Sequence, residues 1–489
     1  MSKQNGGIIG PDNVTTGGAF GSASGVFKLG EVTNLIKESK WPTAGPQGFQ
    51  VANSYRSGVD NQYLVRNKTT PTSVTDFTFS VWVKRSKIAD KSCILSAWGG
   101  DGNNTGSIFF TDGDKLTFEG QTGGSYSANG GVRKITTQLF RDVSAWSHLV
   151  FQKDDGAFKI YHNGTEITAF DTNTQSSGTN IFNNASGNTT VGNENLAASD
   201  HDFQGYIAEA VFIDGQALAP TSFGEFDDSG IWKPIDVSGL TFGNNGFYLD
   251  FEDSSAMGND ATGGTDFTLQ NVAAADQSTD TCTNNFCTWN PLANYTNTLT
   301  FSEGNLKTVM SSQAWHSARG TFGFSSGKWY WECKLLGNQS NYTGVVDETA
   351  VMNTADAHTE NGNTLFYNGS NGEMEVDGSQ TSNNYGNFSE TQVCGVAVDA
   401  DNNKISIYKN GSAIVSNHSL STTRTGFLFP TAASLDYSTE IPTGQNTNFG
   451  SPLYSESGGN SDGNGYGNFN QAVPSGYFAL NTKNLAEYG

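Results

Sequence analysis

Short runs of alternating apolar and polar residues, punctuated by Gly, Asn, Asp and Ser, dominate the chain. A period of two puts successive side chains on opposite faces of a strand. In Phe77-Thr78-Phe79-Ser80-Val81-Trp82-Val83-Lys84 the residues Phe77, Phe79, Val81 and Val83 share one face. Similar runs at Ile94 to Ala97, Ser107 to Thr111, Lys115 to Glu119, His148 to Gln152, Phe158 to His162, Glu166 to Phe170 and Tyr206 to Ile213 predict further strands, with Phe247 to Phe251 returning to the same sheet. Ala219 to Gly224 reads as a short helical turn. A second series runs through Leu299 to Phe301, Trp329 to Cys333, Leu365 to Tyr367, Glu373 to Val376, Val393 to Val398, Ile405 to Tyr408 and Phe427 to Phe429. Strands at this spacing signal antiparallel sandwiches, one for each series.

One pattern occurs in both series: Ile160-Tyr161-His162-Asn163-Gly164-Thr165-Glu166-Ile167 and Ile407-Tyr408-Lys409-Asn410-Gly411-Ser412-Ala413-Ile414. An Asn-Gly pair accepts the positive φ angles of a type I′ turn, so each copy predicts a hairpin. An apolar strand and an acidic turn precede each one, Asp154-Asp155-Gly156 in the first and Asp399-Ala400-Asp401-Asn402 in the second. A three-stranded meander is therefore expected twice. These hairpins read as scaffold, and a binding surface is expected in irregular loops away from them.

Helical spacing is clear near the start, where Leu29, Val32, Leu35 and Ile36 repeat at i, i+3 and i+4 before Trp41-Pro42. The stripe predicts a short amphipathic helix that must lie on the first domain or on another subunit. The expected organisation is all-β: an N-terminal arm and short helix (residues 1–45), a sandwich (46–253), an aperiodic connector (254–290), a second sandwich (291–454) and a flexible C-terminal tail (455–489).

Composition supports sheets rather than disorder. Hydrophobic residues are 35% and charged residues 15% of 489, but 32 Phe, 17 Tyr and 9 Trp supply two cores. A net charge of −22 repels phosphate backbones, so nucleic acid is not an expected partner. Cys93, Cys282, Cys287, Cys333 and Cys394 lack C-x-x-C spacing and read as free thiols, consistent with a reducing cytosol. The first residues carry no apolar signal region, and no run approaches the roughly 18 apolar residues of a membrane span, so neither export by a signal peptide nor membrane insertion is expected.

Catalysis needs convergent groups, and the sequence offers no such set. Asp250-Phe251-Glu252 has the spacing of paired glycosidase carboxylates, but Tyr248 stands where a third would fall, and His148, His162, His201, His316, His358 and His418 are scattered. The expectation is a non-enzyme without a cofactor. Asp250, Glu252 and Asp253 near Asp260, or Asp399 and Asp401 near Asn402, offer the hard oxygen ligands that Ca²⁺ takes, without a fixed motif spacing. Glycan recognition uses aromatic faces and amide or carboxylate groups on loops. Trp98 with Asp101, Asn103 and Asn104, Tyr126, and Trp315, His316, Tyr342 and Tyr385 in the second half have that chemistry.

Phe77 to Ser86, Trp146 to Phe151, Tyr161 to Gly164, and Phe203 to Glu209 followed by Phe212-Ile213-Asp214-Gly215 resemble laminin-G-like, concanavalin-type domains. Gly327 to Glu332, Gly395 to Asp399, Tyr408 to Gly411, Phe429-Pro430 and Asn448-Phe449-Gly450 resemble a SPRY domain. The resemblance implies two jelly-roll, concanavalin-like sandwiches. The joining segments, Ser24 to Leu29, Trp41-Pro42, Phe247 to Ser255, Gly258 to Asp260, Asp280 to Phe286 and Gly476 to Leu485, are similar to connectors of bacteriophage tail-fibre-type virion proteins, although a shaft of repeats is absent. That likeness implies a virion protein made in the host cytoplasm. It would be a homo-oligomer using Leu29, Val32, Leu35, Ile36 and Trp41 in assembly, held to other virion proteins by its arm, and presented to a host-surface glycan or protein receptor. A capsid-attached decoration or head-fibre protein and a surface-polysaccharide depolymerase are the alternatives.

Overall fold

The computed structural model describes residues 48–58, 61–194, 201–294, 299–310, 315–336, 340–351, 362–368, 372–435, 444–452 and 458–489. The arm, the helix and the assembly residues Leu29, Val32, Leu35, Ile36 and Trp41 lie outside them. Residues 51–233 and 237–489 make one compact unit that holds two antiparallel sandwiches. Among the described residues no helix is long and apolar enough to cross a membrane.

In the first sandwich one sheet runs Thr165–Glu166, Ala157–His162, Ser147–Asp154, Phe77–Arg85, Gly205–Asp214, Ser54–Ser57 and Gln277–Ser278, with Phe247–Leu249 also paired to Gly205–Asp214. Facing it, the second sheet runs Phe170–Gln175, Val132–Leu139, Lys115–Gln121, Thr105–Phe110, Ser92–Trp98, Asn188–Val191, Tyr63–Asn67 and Thr268–Gln270. The expected row Phe77, Phe79, Val81 and Val83 enters the core between them, against Ile108, Phe118 and Phe151. The second sandwich repeats the plan. Its core gathers Trp289, Trp329, Trp331, Phe366, Val396 and Ile407, and Cys333 and Cys394 pair directly across Lys328–Leu336 and Cys394–Asp399.

Both Asn-Gly hairpins form with the expected backbone: Asn163 and Gly164 have φ 46° and 77°, Asn410 and Gly411 47° and 79°. Each Asn also locks its turn to the first strand of the meander. Asn163 Oδ1 accepts from His148 N at 2.8 Å and Asn163 N donates to His148 O at 2.9 Å. Asn410 and Val393 exchange the same two bonds, both at 2.9 Å.

Three expectations need correction. Glu166 to Phe170 is not one strand: Ile167 to Ala169 interrupt it, and pairing resumes with Phe170–Gln175 in the opposite sheet. The aperiodic stretch 254–290 adds Thr268–Gln270 and Gln277–Ser278 to the two sheets of the first sandwich. Two- and three-residue edge strands are too short to show a period. Likewise 458–489 packs on the second sandwich, with Phe478–Ala479 pairing in parallel to Lys328–Leu336 and a helix at Thr482–Tyr488. Phe469 meets Tyr330 at 5.2 Å, and Glu332 accepts the N–H groups of Asn470 and Gln471, both at 2.8 Å.

The two sandwiches meet along a polar seam. Lys84 and Asp280, each 1% exposed at the side chain, pair at 2.8 Å. Lys84 Nζ also donates to Asn285 Oδ1 and Phe286 O, and Trp146 Nε1 donates to Asp280 Oδ1 at 2.9 Å. Further along, Arg56 donates to Pro452 O, Tyr206 to Gly304 O and Asn305 to Ser86 O. These bonds satisfy groups whose burial would otherwise be costly.

Candidate functional site

The row that fills the first core continues past its apolar members. Residue 85 follows Val83 on the same strand face, so Arg85 points between the sheets at the open end of the sandwich, while Lys84 points the other way into the seam. Around Arg85 converge the ends of Thr105–Phe110 and Val132–Leu139, the loop from Phe140 to Trp146, and the Asn163-Gly164 turn. They enclose a pocket of about 280 Å³. A second groove of about 360 Å³ adjoins it, bordered by Thr137, Thr165, Glu166 and Thr168. Gln138, His162 and Asn163 border both.

The shared residues are held in place. Gln138 Nε2 donates to His162 Nδ1 at 3.1 Å, and His162 Nε2 is 3.3 Å from Ser147 Oγ. Phe140 meets the imidazole edge-on at 5.2 Å. Burial keeps His162 below the usual imidazole range, so it is neutral at pH 7 and serves as a hydrogen-bonding group. The two cavities together have the size of small-molecule sites, ~300 Å³ and upward. Their walls combine aromatic rings with amides, the chemistry that holds a sugar ring.

Beneath the site Asp114, in a left-handed conformation with φ 61°, ties Arg85 to Arg141. Its Oδ1 accepts from Arg85 Nη1 at 3.0 Å and from Ala89 N at 2.8 Å, and its Oδ2 accepts from Arg141 Nε at 3.0 Å. Burial alone would raise the Asp114 pKa, but the Ala89 N–H and the two guanidinium groups outweigh it and hold the carboxyl below its ordinary range.

At the opposite end of the same sandwich the structure brings some of the expected ligand residues together. Gly124 N donates to Asn103 O at 2.8 Å and Gly123 N to Asn104 Oδ1 at 3.0 Å, which joins the loop of Asp101, Asn103 and Asn104 to that of Tyr126. Trp98 is 36% exposed beside them. Asp101 is engaged by its own loop, accepting from Asn103 N and Asn104 Nδ2, and Tyr126 lies under the Arg133 guanidinium at 5.1 Å.

The second-domain candidates do not converge on a loop surface. His316 and Tyr342 belong to strands, Trp315–Gly320 and Ser340–Asp347, and both are buried. Tyr342 stacks on Tyr367 at 4.7 Å. Tyr385 packs half-buried against the second core, its N–H on Gly372 O; the Trp315 side chain lies outside the described residues. The acidic candidates are dispersed as well: Asp250 accepts from Glu252 N, Asp253 caps Ser255, and Asp260 is spent on Arg66 at 2.9 Å. Asp399 pairs with Lys328 at 2.9 Å, and Asp401 accepts from Gly327 N. Among the described residues no three acidic, His or Cys side chains gather as metal ligands. The Tyr248 hydroxyl donates to Glu209 at 2.7 Å, away from the Asp250-Phe251-Glu252 pair of the hydrolase pattern.

Arg85, Gln138 and Asn163 were not among the expected ligand residues. The available signal was a cation at the next core-facing position after Phe77, Phe79, Val81 and Val83, where an apolar residue would continue the row.

Two antiparallel sandwiches in tandem, the first with a cleft at its open end, define a modular all-β protein. Residues 57–221 match the family model described as the Concanavalin A-like lectin/glucanases superfamily, and residues 328–445 match the SPRY domain. The chain thus carries a concanavalin A-like domain followed by a SPRY domain, a pairing that suggests sugar or protein binding. No curated protein matches it. Among solved structures it is similar to the SPRY domain of human HERC1, at 14% identity over 32% of this chain and 96% of that one, with TM-score 0.27. It is also similar to the heptameric SAP-like pentraxin of Limulus polyphemus, at 17% identity over 35% of this chain and 80% of that one, with TM-score 0.27.

Proposed function

We propose that this chain is a non-enzymatic bacteriophage virion protein of tail-fibre or receptor-binding type that recognises host-surface glycans through its concanavalin A-like sandwich. The observation that carries the glycan reading is the joined pair of cavities at the Asn163 turn, where Gln138 and His162 stand beside aromatic walls. The virion reading is supported by the likeness of the joining segments, among them Asp280 to Phe286, to connectors of tail-fibre-type proteins. Residues 1–45 would attach the protein to other virion proteins as a homo-oligomer. Repeated weak sites then act together, because linked copies raise avidity without a tight single site.

A glycan array probed with the whole protein and with Gln138→Ala, each with and without chelator, tests recognition. Sugars held by the native protein and released by the substitution are expected; retention of no sugar in either condition refutes it. Immunogold imaging of intact particles tests location, and label over the capsid lattice rather than the tail would sink the tail-fibre assignment.

A further inference from the structure

The wall of the pocket includes Arg85, whose buried guanidinium carries a donor pair that the fold itself does not use. Arg85 Nη1 is occupied, donating to Asp114 Oδ1 at 3.0 Å and to the Phe140 carbonyl. Among the described residues Arg85 Nε and Nη2 find no acceptor, although the side chain is only 3% exposed. Those two nitrogens form one edge of the guanidinium, and their N–H bonds run parallel. The edge matches two oxygens about as far apart as those of a carboxylate, which accept both hydrogens at once. Phe110 supports the plane from below, with the guanidinium carbon 4.5 Å from the ring centroid.

The positive charge nearest that edge is shared rather than cancelled, although Asp90 also lies within Coulombic reach of Arg85. Asp114 is shared between Arg85 and Arg141, so one carboxylate faces two guanidinium groups. Asp142 also borders the pocket and balances the remaining positive charge, while its Oδ1 is turned to the backbone N–H and hydroxyl of Ser144 at 2.8 and 2.6 Å, so recognition there rests on the geometry of the free donor pair. A buried donor without a partner costs the full desolvation of that group, and a ligand that supplies the acceptor recovers it. The remaining wall comes from Phe140 and Trp146, with Gln138 and Asn163 leading into the adjoining groove. That environment suits a carboxylate carried on a hydroxyl-bearing pyranose, whose C–H face packs on an aromatic ring, better than one on an extended peptide, which would bring amide groups against aromatic walls.

We propose that the Arg85 pocket is the specificity site of the glycan reading and selects sugars that bear a carboxylate, of the uronic-acid class, with the carboxylate on Arg85 Nε and Nη2 and the ring against Phe140 and Trp146. It rests on that reading and narrows it from glycans in general to acidic ones. The neighbouring groove then takes the next residue of the chain.

The test uses the full chain and three probes: a polyuronate oligosaccharide, its carboxyl-reduced neutral counterpart, and poly-glutamate. Retention of the polyuronate alone is expected. Arg85→Lys, which keeps the charge and loses the parallel fork, should weaken it by roughly tenfold or more. Leu139→Trp, placed on a rim residue that is 44% exposed, should block the same probe without disturbing the buried Asp114 pair. Equal retention of the neutral counterpart overturns acidic selection while glycan binding stands. Retention of poly-glutamate in place of the sugar assigns the pocket to an acidic peptide and refutes the proposal. Retention of the polyuronate unchanged in both variants refutes the site, and retention of no sugar defeats the glycan reading as well.

Discussion

Acidification should destabilise the first sandwich through a single buried imidazole. His148 is fully buried on the face of its sheet that carries Trp82, stacked on that indole at 4.8 Å. Trp232 Nε1 donates to His148 Nδ1 at 2.9 Å, which leaves the ring proton on Nε2, 2.8 Å from Ser80 Oγ. Both ring nitrogens are therefore used by the neutral form. Burial, with a smaller repulsion from His162, pushes its pKa from 6.5 down to about 3. Above pH 6.5 the folded and unfolded states are both neutral and this stabilisation is complete. As pH falls the unfolded chain takes up the proton first, and stability drops by about 1.4 kcal/mol per pH unit until the folded pKa is reached. Between pH 7.5 and 4.5 the loss is roughly 2.7 kcal/mol. Urea unfolding of the native protein and of His148→Gln, followed by tryptophan fluorescence at both pH values, isolates this contribution because other titrating groups cancel in the difference. The gap between the two proteins should narrow by that amount at pH 4.5. A gap that does not change with pH refutes the neutral buried imidazole.

The second sandwich contains a group of opposite sign: Glu375, 3% exposed and pushed up to about 7 by burial with Tyr342 as its hydrogen-bond partner. Its contribution is full below pH 4.5 and is lost as pH rises through 7, so Glu375→Gln should stabilise the protein by about 3 kcal/mol at pH 8 and give no gain at pH 4.5, read from urea midpoints. Asp280→Ala removes the partner of Lys84 and the acceptor of Trp146; a loss of roughly 3–5 kcal/mol is expected, and unchanged thermal stability would contradict a buried ion pair at the seam. Gly304→Ala sets a methyl carbon against both the hydroxyl and the ring of Tyr206 at a residue with φ 65°, so calorimetry should show a lowered melting temperature, and an unchanged one would contradict that close approach. Native Cys333 and Cys394, both fully buried, should resist thiol reagents until the chain is unfolded.

The strongly apolar strands Phe77–Arg85 and Lys328–Leu336 were legible from their concentration of bulky β-forming residues, although burial does not alternate along them and all nine residues of the first are buried. Phe170–Gln175 was hidden for the opposite reason. Its residues alternate between half-buried and exposed, so Asp, Thr, Asn and Gln fill both faces and no apolar period remains. Gly205–Asp214 was found, yet its internal break was not: Glu209 has φ 49° and the register shifts between Ala208 and Val211, a bulge set by pairing rather than by composition. The candidate site was less visible than the fold. Asn103 and Asn104 were chosen because their amides suit ligands, whereas the Asn104 amide and the Asn103 backbone carbonyl brace two loops against each other. The Asn163 turn, expected as scaffold, locks the meander and also borders the groove.

Adjacent residues tie that groove to the junction of the sandwiches. Strand alternation sends Lys84 to the seam and Arg85 to the pocket, so neither can shift along the strand axis without moving the other. Trp146 closes the connection from the far side. Its ring borders the pocket while its indole N–H is held by Asp280, the same carboxylate that pairs with Lys84. The Trp146 ring that walls the pocket is therefore part of a side chain whose other edge is fixed by a buried charge. Rotating the ring would break a charge-assisted hydrogen bond inside the seam, which keeps the wall rigid and lets the pocket retain its shape. The second sandwich reaches the seam through Phe286, and Asp280 and Asn285 of the joining segment complete it, without contributing a residue to the pocket lining.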